Sequence, residues 1–531
     1  MGGQRSGGGS GPSERTRAGL AGWQPHGPML RYFGSAAPSW LLTGDRTSPW
    51  DSLHVLVAGL GVTGYSAATG LLGLGARVHV VADSEPTGAA GERAGIIEAL
   101  GGSLAFGPEH TSAVPGDCTL VVISPGFLPL HPLVRAAVES GVALFTDIDL
   151  ARRLEHPDGR ATWLAVTGSN GKTTTTQMVA AIGVAAGLDA RVAGNIGEPI
   201  VDVVLDPDPP ALLAVEVSAQ QLHYSPGLAA DAAVVLNLAP DHLDFHGDLA
   251  GYGADKARVF DGVATACVYN VDDPATRPMV EAAEVREGAR AVGFTLGIPA
   301  VSQLGVIDNL LVDRAFVTER QTAALPLIGV SELPSSAPHV VADALAAAAL
   351  ARSQGFSAGA VRSALSAFSI DRHRIEDAGT VAGVAYVNDS KATNPHAAEA
   401  SLVAYANVVW IAGGKAKGLE FDDLVQKVAG RLRAVVLLGT DRAVVKAALS
   451  RHAPQVPVVD VTGSDTGAMA DVVAAASRFA QPGDTVLLAP GCASTDMFAG
   501  FAARGDAFVE QVRALPGWQP AGGGQAGPAP W

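Results

Sequence analysis

Residues 162–187 read TWLAVTGSNGKTTTTQMVAAIGVAAG: an apolar run, a glycine-flanked turn, then an alanine-rich stretch of helical character. A strand that feeds such a loop and then a helix aims the helix's unpaired first-turn N–H groups, and the positive end of its dipole, at whatever the loop encloses. The expected occupant is a phosphate. Backbone N–H groups wrap it, Lys172 reaches the terminal phosphoryl groups, and Thr173 offers a hydroxyl to Mg2+. The general phosphate-loop pattern asks for glycine where this chain has Val166, so the spacing is altered. The plain alternative, a polar strand-to-helix turn without a ligand, leaves that lysine and threonine without a purpose.

Similar alternation runs through most of the chain. HVLVAGL, RVHVVAD, TLVVISPG, LLAVEVS, AAVVLNL, VAYVND, VVWIAGG, AVVLLGT and TVLLAPG are apolar runs, each closed by a Gly-rich or polar turn and separated by Ala/Leu-rich segments. Runs that do not alternate apolar with polar residues are buried on both faces, which argues for parallel sheets covered by helices, an α/β fold. A length of 531 residues suggests about three domains. Polar turns place boundaries near Arg160 and Ser369, giving segments 51–159, 160–368 and 369–516. Residues 1–50 and 517–531 are rich in Gly, Pro and Ser and are expected to lack fixed structure.

Composition narrows the partners. A formal charge of -16 repels phosphate backbones and anionic lipid surfaces, so nucleic acid and membrane are not expected partners. Cys118, Cys267 and Cys492 form no C-x-x-C pair, which suits a reducing, cytoplasmic setting. No apolar run approaches the length of a membrane helix.

In the first series, GLGVTG (residues 59–64) follows the strand-like HVLVAG, with Asp83 ending the next run. That spacing satisfies a dinucleotide fingerprint, with glycines for the turn and an acid for a ribose hydroxyl. The same turn suits any nucleoside diphosphate, because a helix N-terminus selects anionic groups and not nicotinamide. An NAD-dependent oxidoreductase is therefore one competing reading and a non-catalytic nucleotide sensor another. The first leaves the loop at 168–173, Glu216 and NDSKATNP without a purpose; the second would show ligand binding but no phosphate release.

Those later motifs occur in order: TGSNGKT, AGNIGEP (193–199), EVSAQQL (216–222), NLAPDHLDFHG (237–247), DKARVF (255–260), HRIE (373–376), NDSKATNP (388–395) and APGCASTDMF (489–498). The series resembles the Mur ligases of peptidoglycan synthesis, over roughly residues 52 to 515. DSKATN with GLGVTG is most similar to the branch that adds D-glutamate. Folylpolyglutamate synthase shares the central loop but fits GLGVTG and DSKATN poorly. The resemblance implies an N-terminal Rossmann-like UDP-binding domain, a central P-loop-type ATPase domain and a C-terminal Rossmann-like domain. It also implies a reaction in which ATP phosphorylates the carboxylate of UDP-MurNAc-L-Ala and the amine of D-glutamate displaces the phosphate. A monomer is expected.

Residue roles follow from the resemblance. Gly168, Ser169, Asn170, Gly171, Lys172, Thr173 and Thr174 would hold the ATP phosphates, with Arg374 as a clamp and Asp389 toward the ribose. Thr173, Glu216, His242 and Lys256 would hold two Mg2+ ions, Lys256 as a CO2-derived carbamate, which turns a repelling cation into an oxygen ligand and needs a desolvated, partly neutral amine. Lys391 would steady the acyl phosphate. Val62, Thr63, Asp83, Ser84, Ser124, Asn195, Ser218 and Gln221 would meet the UDP-sugar. Thr393, Lys417, Ser494 and Phe501 would form the D-glutamate site, with Lys415 competing with Lys417.

Two departures and one spacing remain. His339, Val340 and Asp343 replace the family's H-N-x-x-N, so Asp343 would accept from the adenine amino group but cannot donate. Gly491 replaces the commoner alanine. His242 and His246 have a zinc-like H-x-x-x-H spacing, but no third ligand of matching spacing follows and Asp241 and Asp244 suit a harder cation. His246 reads as a solvated polar residue.

Overall fold

The computed structural model of the chain describes residues 31–463 and 465–520. It divides into two compact units. The first holds the described residues up to Leu238, with His242–Gly329 and Ala342–Ser366; the second holds Ala239–Asp241, Val330–Val341 and the chain from Ala367 onward. No helix among the described residues is long and apolar enough to cross a membrane.

The first unit contains two sheets. The N-terminal one is five-stranded and wholly parallel, its strands standing 3-2-1-4-5 in chain order. Strands such as Leu120–Ile123, LVVI, are buried at every position, as covering on both faces requires. The order reverses between its first strand, His54–Ala58, and its fourth, which opens a crevice at their carboxyl ends.

The second sheet has nine strands. Its first strand, Thr162–Thr167, lies centrally between Leu212–Glu216 and Ala232–Val235, parallel to both, and this is again a switch point. Two antiparallel strands, Leu310–Asp313 and Leu325–Gly329, extend its far edge, a hairpin that the pattern of parallel runs did not announce.

The two sheets share a core. Helix Val62–Gly73 packs so tightly on helix Ile200–Leu205 that a Cβ on Gly70 would lie 2.7 Å from a Leu205 methyl. Ser66 donates to Asp202 at 2.6 Å across the same contact. A buried Arg152–Glu155 pair, 2.6 Å apart, is locked by Trp163 Nε1 donating to Glu155 at 2.9 Å.

The second unit carries a seven-stranded sheet whose parallel strands include Val384–Asn388, Thr485–Leu488 and Val408–Gly413 side by side. The loops leaving their carboxyl ends are DSKATN, GCASTD and GGKAKG, so the sheet collects three separate motifs at one end.

Both expected unstructured termini need correction. Residues 1–30 and 521–531 lie outside the described residues, but the chain is packed from Tyr32 on. Tyr32, Leu41 and Trp50 are buried, and buried Arg153 donates to the Leu41 and Leu42 carbonyls. Aromatic residues in a Gly/Pro-rich stretch were the overlooked signal. At the other end Trp518–Gln519 pairs antiparallel with Glu376–Val381.

Candidate active site

Strand Thr162–Thr167 ends in Gly168 at φ +156, and helix Lys172–Ala185 begins after Gly171 at φ +85. The backbone is so close to its surroundings that a Cβ on Gly171 would sit 2.3 Å from Asp343 Oδ1, and one on Gly168 2.9 Å from Leu236. Asn237, at the end of the neighbouring strand, pins the loop: Oδ1 accepts the Asn170 N–H at 2.9 Å and its carbonyl accepts the Ser169 N–H at 3.1 Å. Asn237 opens the motif NLAPDHLDFHG, whose sequence carries no sign of this role.

Lys172 Nζ donates to the Gly168 and Ser169 carbonyls at 2.8 and 3.0 Å. Thr173 Oγ1 donates to Glu216 Oε2 at 2.9 Å, and Asn195 Nδ2 to Glu216 Oε1 at 2.9 Å. Lys256 is 1% exposed, far from the surface lysine that its local sequence would suggest, and its Nζ reaches Gly168 O at 2.9 Å with the Tyr252 ring 4.2 Å away. Four motifs from four elements thus meet on one loop. The glycine cradle suits phosphate. The Thr173 hydroxyl beside the buried Glu216 carboxylate is an oxygen donor set that fits Mg2+ rather than a softer metal.

His242 is exposed, with φ +50, whereas the His246 side chain is 0% exposed, so the expectation of a solvated His246 is wrong. His246 Nδ1 lies 2.6 Å from Asp255 Oδ2, and His223 Nδ1 2.8 Å from the same oxygen. Burial works to raise the Asp255 carboxyl, but hydrogen bonds and charge from the two imidazoles outweigh it and hold the group below its ordinary value. His223 and Asp255 are 32 residues apart, so no local pattern announced them. Asp343, expected against adenine, accepts the Thr175 hydroxyl at 3.2 Å and backs Gly171.

Around the N-terminal crevice, Gly59 at φ +101 lies so near Ser124 that a Cβ would meet its Oγ at 2.6 Å. The GLGVTG turn and the SPGF turn are therefore one wall. Val62, Asp83 and Ser84 are exposed around it and Thr63 is half-buried; Asp83 accepts the Thr111 hydroxyl at 2.5 Å. Ser218 and Gln221, expected at the sugar-peptide arm, have partners within the protein. They form a capping box on helix Ala219–Tyr224, and Gln221 Nε2 donates at 3.0 Å to Asp147, whose carboxyl burial pushes up to about 6.

In the second unit His373 is buried against Asn388, 2.9 Å away. Asp389 is buried too: it accepts the Ile375 N–H at 3.4 Å and the Ser401 hydroxyl, and burial pushes its carboxyl up to about 6 against those bonds and the nearby Arg374 charge. Lys391 Nζ lies 3.9 Å from the Phe501 ring centre, joining two residues expected in different roles. Thr393 is half-buried and Ser494 buried, while Lys415 and Lys417 are exposed, Lys417 at φ +51. The Lys415 backbone pairs with Ala493, which brings GGKAKG against GCASTD. Arg504, unread in the sequence, is 1% exposed and ties these loops: Nε and Nη2 donate to Ser390 Oγ and O at 3.0 and 2.8 Å, Nη1 to Cys492 O at 3.1 Å. Gly491 is at φ +65, and a Cβ there would lie 2.8 Å from the Phe421 ring, so glycine fits better than alanine.

A phosphate-cradling loop with a hard-cation donor set beside it defines a nucleotide-dependent enzyme of the α/β class. The chain belongs to the Mur ligase family: the Mur ligase middle domain matches residues 166–351, and the Mur ligase, glutamate ligase domain, residues 373–492. It is 55% identical over 466 residues to a UDP-N-acetylmuramoylalanine–D-glutamate ligase of Streptomyces avermitilis, covering 88% of this chain and 99% of that one. With the enzyme of the same name from Mycolicibacterium smegmatis it is 45% identical over 513 residues, 90% of this chain and 99% of the relative. The fold is similar to that of a pseudomurein peptide ligase type C from Methanothermus fervidus, with TM-score 0.50, 16% identity, and 82% and 96% of the two chains covered.

Proposed function

We propose that the chain joins D-glutamate to the L-alanyl carboxyl of UDP-MurNAc-L-Ala with hydrolysis of ATP to ADP and phosphate, in cytoplasmic peptidoglycan precursor synthesis. The observation that carries this reading is the convergence of Lys172, Thr173, Glu216 and Lys256 on one loop, in a chain 55% identical to relatives of that name.

The substrates dictate what the residues do. A triphosphate, a carboxylate and a dicarboxylic amino acid repel one another, so catalysis rests on positioning and on neutralising charge. Lys172 and the loop N–H groups from Gly168 to Thr174 orient the phosphates, and Thr173 and Glu216 would hold Mg2+, which would screen the charge on the transferred group. The acceptor carboxylate attacks the terminal phosphorus, ADP leaves, and the resulting acyl phosphate is open to the amine of D-glutamate, with phosphate as the leaving group. His242 and a carbamylated Lys256 are read as holding a second Mg2+. Arg374 and Asp389 face the nucleotide, Lys391 the acyl phosphate, and Thr393, Lys417, Ser494 and Phe501 the amino acid. Val62, Thr63, Asp83, Ser84 and Ser124 line the uridine diphosphate end, and Asn195, Ser218 and Gln221 support the sugar-peptide arm through the packing described above.

Phosphate release that requires ATP, UDP-MurNAc-L-Ala and D-glutamate together is the test, and release independent of either acceptor overturns the reading. Lys172→Met abolishes turnover in folded protein. Lys256→Ala does the same and regains part of it with short carboxylic acids; full activity without them rules out the carbamate.

A further inference from the structure

Three elements carry the residues on the cation side of the site. Glu216 ends the strand Leu212–Glu216 just before helix Ala219–Tyr224, His242 precedes the turn Leu243–His246, and Lys256 lies in the last turn of helix Leu249–Ala257. One carboxylate oxygen joins all three, because Asp255 Oδ2 receives His223 from the first and His246 from the second, at 2.8 and 2.6 Å. A carboxylate only accepts, so both Nδ1 atoms donate. In the neutral imidazole His223 Nε2 then accepts, and the hydroxyl 2.7 Å from it belongs to Tyr32, in the N-terminal segment that precedes every family motif. His246 Nε2 is buried with no partner among the described residues, a stability cost that apolar packing would avoid.

We propose that Tyr32, His223, Asp255 and His246 are positioning residues: a buried hydrogen-bonded relay that fixes the angles at which Glu216, His242 and Lys256 face a divalent cation, and so makes the N-terminal segment a working part of the site. The inference rests on the ligase reading of those three residues. Lys256 follows Asp255 directly in its helix, so a tilt of Asp255 is transmitted to it. Outer partners of this sort fix ligand orientation, and losing them typically weakens metal binding about 10-fold or more.

The test uses full-length protein with a non-hydrolysable ATP analogue, Mn2+ as the probe, and electron paramagnetic resonance to read free Mn2+; thermal midpoints are recorded in parallel. Asp255→Leu weakens Mn2+ binding about 10-fold. Asp255→Asn keeps one oxygen for both donors and stays within about threefold of the unaltered chain. Tyr32→Phe, nearly isosteric and expected to fold whatever the fate of Asp255→Leu, weakens binding about threefold, the scale of one net hydrogen bond. Unchanged Mn2+ affinity in Tyr32→Phe overturns the proposal, as does an Asn variant as weak as the Leu variant, since charge rather than geometry would then be at stake. A lowered thermal midpoint with unaltered Mn2+ affinity assigns the cluster to stability alone and overturns it too. Failure of the ligase reading shows elsewhere, as absence of phosphate release by the unaltered chain.

Discussion

Replacing Asp389 by asparagine is expected to stabilise the protein at neutral pH. The carboxyl ionises in the unfolded chain near 3.8 and in the folded one near 6, because burial penalises its charge more than the Ser401 and Ile375 hydrogen bonds reward it. Between those values the folded state holds the extra proton, so stability falls as pH rises through the window. At 1.36 kcal/mol per unit, the loss is about 3 kcal/mol once the group is fully ionised, of which only about 1 kcal/mol is felt at pH 4.5. Asparagine has nearly the same shape; its Oδ1 accepts the Ile375 N–H, its amide donates to Ser401 Oγ, and it does not titrate. Urea unfolding of both proteins at pH 4.5 and 7.5 should show the variant more stable at the higher pH, by about 2 kcal/mol more than at the lower. A gain equal at the two values, or a loss at pH 7.5, refutes the reasoning. Turnover should fall as stability rises, since the charge lost lies beside Arg374.

Gly171→Ala must adopt φ +85 and push a methyl against Asp343, which costs about 2 kcal/mol and at least tenfold in ADP release; adding Asp343→Ala removes the collision but not the backbone strain and restores only part. Arg504→Lys replaces a three-armed fork by a single ammonium that cannot reach both Ser390 and the Cys492 carbonyl. Calorimetry should show about 2–3 kcal/mol lost, and the KM for D-glutamate should rise more than that for ATP. Gln221→Glu sets a second carboxylate against Asp147 at a 3.0 Å contact; the thermal midpoint drops at pH 8, and the drop shrinks toward pH 5 as one carboxyl takes a proton.

What sequence alone conveyed was whatever lies close together along the chain. The strand, loop and helix around Lys172 are contiguous, and their physics is local, so Gly168, Gly171 and Thr173 were readable. Lys256 was another matter: the helix around it looks solvent-exposed, and only the ordered motifs pointed inward. Partners set by tertiary packing left no trace. Asp255 meets His223 across 32 residues, and Arg504 meets Ser390 across 114. His246 was misjudged because a polar residue in a polar motif gives no hint that its ring is covered. Gln221 showed only its expected place at the sugar-peptide arm, because the sequence gives no sign of its cap on Ser218 or its bond to Asp147.

The packed stretch from Tyr32 to Trp50 bears on how this protein is produced in the laboratory. A recombinant version started at residue 51, where the first strand-like run invites a cut, keeps every motif but leaves the Arg153 guanidinium without the Leu41 and Leu42 carbonyls and uncovers the Phe145 ring stacked beneath it. Such material should come out of cells sparingly and clump, and the remedy is to move the start codon upstream rather than to change buffer or host.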